Sequence, residues 1–553
     1  MTTPSAIPRS GWAPLQRPIF RALWIATIAS NIGTWMHDTA ATWLMTGLTS
    51  STLLVAMMQT ASSLPVLFLA LPAGALADIV DRRRVLLITQ TWMLLAAASL
   101  AITTMAGWMT PGLLLLLTFL LGLGTALNTP AWQATVPDLV PLDELPSAVA
   151  LNGISTNIAR AIGPAIGGLL VAAIGSGGVF LLNAASFTAM VLVLRNWKRP
   201  RPATVLPAER VAGAIRAGVR YARHAPAVKA ALVRTAAFIV AASALWALLP
   251  VVARHEMQLS AIGYGVLLGS LGAGAIIGGI LLPKFRARWT TDRLVVLSSL
   301  VFALASATVA VSRTYLVLCA ALILAGIAWM TAMPLFNVAT QRASPGWARA
   351  RTMAIYVLAY QGGMAAGSFV WGVVASRTSV AVALGGAALV GVVGVVFATR
   401  PFRLEAWEGL DLTPSDHMRQ PVVEGDVPLD AGPVLVTVEY RIDPADAAGF
   451  ARAMDALAQV RLRDGALNWG LYRDTADPAR FVETFVSETW GEHLRQHSRG
   501  TMADRRVMAA VRAFYRGPEP PVVAHLIHVS TAPESAEGHR GWPILPRWSD
   551  VRW

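Results

Sequence analysis

Gly74-Ala75-Leu76-Ala77-Asp78-Ile79-Val80-Asp81-Arg82-Arg83-Arg84 decides the class of this chain. It lies where one long apolar segment ends and the next begins. A small residue closes a helix, an acid follows, and Asp81 with three arginines fills a very short loop. A helix crossing a bilayer needs about 20 apolar residues, and the runs on either side of this loop meet that length. The same rule applied outward predicts about twelve spans between residues 20 and 399. The basic loops Asp81–Arg84, 195–234, 284–288 and 342–351 alternate with loops nearly free of charge at 46–51, 107–112, 175–178 and 312–314. Basic loops stay inside, so both termini are expected on the cytoplasmic side of a bacterial inner membrane. The loop 137–146, with Asp138, Asp143 and Glu144, is the exception, and acids weigh little in that rule.

Composition agrees. Hydrophobic residues make up 55% of the 553 and charged residues 14%, where a soluble domain carries about a quarter. The formal charge of +14 collects in loops on one side of the spans, so it does not indicate nucleic acid. The one cysteine, Cys319, lies in an apolar span and excludes a disulfide framework within the chain. Residues 1–18 lack a short apolar core with a small-residue cleavage site, and no cleaved signal peptide is expected. No phosphate-binding loop, cofactor motif or metal-ligand cluster is evident.

The chain repeats itself. Gly74, Arg82 and Arg84 recur as Gly278, Arg286 and Arg288, a shift of 204 (278 − 74). The same shift carries Pro130, Gln133 and Pro141 onto Pro334, Asn337 and Pro345, and Asn157, Gly163 and Gly168 onto Gln361, Gly367 and Gly372. One shift over three regions means two six-helix halves in the same orientation, with a substrate site between them near the midplane. The second loop is degraded, with Leu282 in place of Asp78.

The pattern of Gly74, Asp78, Asp81, Arg82, Arg83 and Arg84 resembles the loop between helices 2 and 3 of the major facilitator superfamily. The resemblance covers roughly residues 15 to 400. It implies alternating-access transport, with these residues as a cytoplasmic latch. Gly163-Pro164-Ala165-Ile166-Gly167-Gly168 is similar to the helix-5 signature of the superfamily's proton-coupled exporters, without its extra upstream glycine. The arginine-led exporter motif of the fourth span is absent. Asn31–Met36 and Pro130–Ala134 look instead like the branch containing macrolide and enterobactin exporters.

Ionisable residues inside the spans are few because each costs about 2.5–3.5 kcal/mol at the centre. Asp38 and Arg160 are candidates for proton coupling. A solvated position near the outer surface is the other reading of Asp38, and a packed or paired structural role the other reading of Arg160. Trp35, Asn128, Gln133, Asn157, Asn337, Tyr360 and Gln361 are candidates for the substrate cavity. The amides serve equally as glue between helices. Trp35, Trp43, Trp329, Phe336 and Tyr360 suit a bulky amphipathic molecule.

The expected organisation is a cytoplasmic tail (1–18), an N-terminal half (19–196), a cytoplasmic loop (197–229), a C-terminal half (230–400), a linker (401–430), a soluble domain (431–530) and a tail (531–553). The soluble domain reads β-α-β-β-α-β, a ferredoxin-like α+β order with one helix over 490–516. Around Glu488–His497 it resembles the dimeric αβ-barrel monooxygenases of antibiotic biosynthesis. That likeness implies a homodimer, or a pocket with Trp490 and His497 that senses or oxidises the cargo. The expected function is proton-coupled export of a small amphipathic compound across a bilayer, without nucleic acid. Uptake is the reading disfavoured by residues 163–168.

Overall fold

The computed structural model describes residues 12–79, 81–141, 143–197, 211–405, 409–415, 421, 423 and 425–529. They form two compact units, one running to Pro414 with Thr501–Ala503, the other Ser415–Gly500 and the residues from Asp504 on.

The first unit is a helical bundle. Its first half holds α1 (Pro18–Leu48), α2 (Thr52–Ile79), α3 (Arg82–Met105), α4 (Pro111–Leu139) and α5 (Leu145–Asn196). α6 (Val211–His224) follows, then α7 (Pro226–Val251), α8 (Ala261–Arg288), α9 (Thr291–Val311), α10 (Tyr315–Arg342), α11 (Gly346–Arg377) and α12 (Val380–Thr399). Side-chain caps at Asp81, Thr110, Ser260 and Ser379 start four of them by accepting a bond from the first turn. Among the described residues, ten helices are long and apolar enough to cross a membrane. One of the ten, α5, has 52 residues and is broken at Gly175, whose φ of +73° only glycine adopts cheaply. α1 has 31 residues but is not among the ten; Arg21, His37, Asp38 and its threonines dilute its apolar run.

Packing follows the 204-residue shift. α1 packs on α5 as α7 packs on α11, and the halves meet where α5 touches α8 and α2 touches α11. A Cβ on Gly168 would lie 2.6 Å from Gly265 Cα on α8. Its repeat mate Gly372 faces Ala56 and Leu53 of α2 in the same way. Thr60 of α2 also donates to the Ala365 carbonyl of α11 at 3.0 Å.

The segment 197–229, expected as a loop, contains α6, which docks on the second half. Tyr221 donates to the Ala343 carbonyl at 3.1 Å, and its ring meets Trp347 edge-on at 5.3 Å. α7 starts at Pro226, ahead of the expected 230, because proline at the first turn is preset for a helix.

The second unit contains β1 (Val434–Arg441), α13 (Ala447–Asp464), β2 (Ala466–Arg473), β3 (Arg480–Ser487), α14 (Trp490–Arg499), α15 (Met502–Arg512) and β4 (Val522–Ile527). Its sheet has the order β2-β3-β1-β4, with every neighbour antiparallel. One face of β1 and β3 (Val438, Tyr440, Phe481) packs on Phe450, Met454 and Leu457 of α13. On the other face Leu435 pairs with Leu526, which is 53% exposed. The single helix expected over 490–516 is two, because the backbone leaves helical geometry at Gly500 (φ −58°, ψ 139°).

Candidate functional site

The two halves bring four aromatic rings into a row. Trp35 of α1 lies 6.5 Å from Trp246 of α7, which lies 5.5 Å from Trp329 of α10, itself 6.3 Å from Tyr360 of α11. Trp246 Nε1 is buried without a hydrogen-bond partner. The Arg160 guanidinium stands over the Trp35 ring at 5.6 Å. Its Nε has no partner, and no acid pairs with it among the described residues. Cation, indole donor and aromatic faces thus converge from α1, α5, α7, α10 and α11. This chemistry holds a flat, oxygen-rich or anionic molecule.

Asp38 is exposed on the same face of α1, three residues beyond Trp35. It lies ten residues before Leu48, about 15 Å from the helix end at 1.5 Å per residue. His37 points the other way, fully buried against Phe180 at 4.6 Å.

The glycines of the fifth-span signature are the seats of this arrangement. A Cβ on Gly163 would lie 2.5 Å from Trp35 Cβ, and one on Gly167 2.9 Å from Met36 Cα. Gly168 admits Gly265, and a Cβ on Gly265 would in turn lie 2.8 Å from Gly168 Cα. The signature therefore presses α1 onto one side of α5 and α8 onto the other.

The end of the bundle bearing the sparsely charged loops is closed between the halves. Arg254, just past α7, lies over Trp43 of α1 at 4.7 Å and donates to its carbonyl at 3.3 Å. His255 Nε2 sits 3.0 Å from the Thr46 carbonyl. Trp43 stacks on Tyr264 at 5.5 Å, and Glu256 pairs with Arg313 at 2.5 Å. Trp43, expected in the aromatic wall, belongs to this closure. Trp246, Arg254 and His255 were not among the candidates. Arg254 and His255 were visible as basic residues beside a loop on the sparsely charged side.

At the other end the latch arginines stay within their own half. Arg82 donates to the Ala134 carbonyl at 2.7 Å and pairs with Asp138 at 3.3 Å. Arg83 donates to the Leu194 and Arg195 carbonyls at 2.9 and 2.7 Å, a cation at a helix C-terminus. Asp81 caps α3 by accepting from Arg84 N–H at 3.0 Å. The side chains of Gly74, Asp78 and Asn157 lie outside the described residues. Asn128 accepts from Thr89 and Gln90 of α3 at 3.1 and 3.2 Å, so its oxygen bonds helix to helix. Asn337 accepts from Gln341 at 2.6 Å. Gln133 is exposed and Gln361 half-buried.

Residues 9–533 match the family described as transmembrane secretion effector, a match that runs through both units. The staphyloferrin A transporter of Staphylococcus aureus (strain NCTC 8325 / PS 47) is 29% identical over 163 residues, 29% of this chain and 41% of that protein. The enterobactin exporter EntS of Shigella boydii serotype 4 (strain Sb227) is 28% identical over 291 residues, 51% of this chain and 67% of that protein. The MFS-type transporter YfiS of Bacillus subtilis (strain 168) is 27% identical over 225 residues, 38% of this chain and 52% of that protein. The chain thus spans only about two fifths to two thirds of the length of these relatives. Among solved structures, the nucleoside transporter NupG superposes with a TM-score of 0.59 at 13% identity, over 70% of this chain and 100% of that one. A D-xylose-proton symporter does so with a TM-score of 0.54 at 11% identity, over 69% and 99%. The chain belongs to the transmembrane secretion effector family of the major facilitator superfamily.

Proposed function

We propose that this member of the transmembrane secretion effector family is a secondary active exporter. It carries a small amphipathic compound with aromatic and anionic character, of the siderophore class, outward in exchange for protons. The observation that carries this reading is Arg160 over Trp35, in line with Trp246, Trp329 and Tyr360 between the two halves. A cation inside a membrane protein is costly unless it faces a cavity or a partner. Here the cargo is the partner. The named activities of the staphyloferrin A transporter and the enterobactin exporter support the same class.

In this reading twelve spans cross the bilayer, counting α1 and the two parts of α5 broken at Gly175. Both termini are cytoplasmic. The closure of Trp43, Arg254 and His255 is then the outer gate, and cargo enters from the basic side. Protonation of Asp38 returns the carrier. Asp78 and Arg82–Arg84 act as the latch of the opposite, outward-open state. The C-terminal unit, read as ferredoxin-like from its strand order, pairs two copies through the uncovered sheet face around Leu435 and Leu526.

The test is accumulation of aromatic siderophores and related phenolic acids in cells expressing the chain, with and without a protonophore. Expression lowers the intracellular level, and the protonophore removes the difference. Higher accumulation on expression would make the chain an uptake system and overturn the reading. A chemically altered compound outside the cell would instead favour a catalytic C-terminal unit.

A further inference from the structure

The second unit gathers three histidines that the chain order keeps apart. α14 carries His493 and His497 four residues apart, on one face of the helix. Their Nε2 atoms are 3.3 Å apart. β4 supplies His525, paired in register with the buried Val436, so it turns toward the packed face of the sheet. Its ring lies 4.8 Å from that of His493. One ring nitrogen from each of the three falls within 4.8 Å of the others, with no carboxylate in the group among the described residues. Trp490 walls the cluster, 5.4 Å from His493 and 5.9 Å from His525.

The spacing is that of a metal centre. Two nitrogens held by a tetrahedral ion at about 2.0–2.1 Å stand about 3.3–3.4 Å apart. His493 and His497 have that separation, and a ring nitrogen of His525 lies within 4.8 Å of both. His493 is 2% exposed, while His497 and His525 are half-buried, which leaves a way in. Nitrogen ligands without carboxylates select borderline first-row ions over Ca²⁺ or Mg²⁺.

We propose that His493, His497 and His525 form a three-histidine site for a divalent cation of the zinc class, whose fourth position stays open to water or to an exogenous ligand. The site lies wholly within the second unit, and it stands or falls independently of the export reading.

The experiment uses the full-length, tag-free chain in detergent, stripped with a chelator and titrated with ZnCl₂. Calorimetry and elemental analysis after gel filtration are expected to give one Zn²⁺ per chain. Co²⁺ in its place is expected to give the intense visible bands of a tetrahedral ion. The variant carrying both His497→Ala and His525→Ala removes two half-exposed ligands and keeps the buried His493. It is expected to unfold like the stripped wild type without metal, to bind Zn²⁺ at least roughly 100-fold more weakly, and to lose the Co²⁺ bands. Should that variant be misfolded, His497→Gln alone serves, with the same bands as readout. Equal Zn²⁺ uptake by wild type and a folded variant, or no uptake by the wild type, overturns the site.

Discussion

Arg160 and Asp38 differ in what surrounds them, and their expected phenotypes differ accordingly. The Arg160 guanidinium stands over the Trp35 ring, and no acid pairs with it among the described residues. If the cargo supplies its anion, Arg160→Gln removes a charge-assisted bond worth about 1.5–3 kcal/mol. The concentration for half-maximal efflux should then rise roughly 10- to 100-fold at unchanged expression and membrane insertion. An unchanged efflux curve would return Arg160 to a structural role. Asp38 lies about 15 Å before the end of α1, exposed on the Trp35 face. Asp38→Asn keeps its shape and removes the proton site. Everted vesicles carrying it are expected to bind cargo but to lose transport driven by a pH gradient. Normal pH-driven transport in that variant moves the coupling elsewhere.

At the scale of helices, the G-P-x-x-G-G run is a device for close approach. Gly168 and Gly265 bring the backbones of α5 and α8 together at the closed end, and no side chain fits between them. Gly168→Leu therefore forces the halves apart there. The expected result is loss of export with normal insertion, and faster amide exchange over residues 261–268 than in the wild type. Protection equal to wild type would show that the crossing tolerates bulk and is not the pivot. The repeat explains why the opposite pair, α2 and α11, meets through Gly372: the same 204-residue shift that was readable in the chain places a small residue at each crossing. The helix break at Gly500 was missed, although residues 495–501 carry no apolar side chain and a glycine followed by a threonine is a stop before a new cap.

For the whole molecule the question is what the C-terminal unit adds. Truncation has to respect the bundle's own lock. Arg234 of α7 pairs with Asp292 at the start of α9, and that carboxylate accepts from Leu404 and Glu405 N–H at 3.1 and 3.2 Å. A chain ending at residue 403 would strip this buried ion pair of two donors, so the informative truncation ends at Pro414. That truncation is expected to retain efflux and to run as a monomer in detergent by light scattering, while the full-length chain runs as a dimer. Identical masses per particle would remove the pairing role of the sheet face, and lost efflux with correct insertion would make the unit part of the transport cycle.

Properties set by short stretches were legible in the chain itself. Apolar runs marked the spans, arginines marked the loops of one side, and a constant shift marked two halves, because hydration cost and helix length act on contiguous residues. The family resemblance rested on the same local words. Which polar side chain meets which partner was not legible. Asn128 read equally as a cavity amide or as glue between helices, and its oxygen accepts from Thr89 and Gln90; Arg254 was not a candidate and lies over Trp43; His525 stands 28 residues after His497 (525 − 497) yet joins it. Those outcomes depend on contacts between distant elements, where helix rotation and strand register choose the neighbour, and only the folded chain makes that choice.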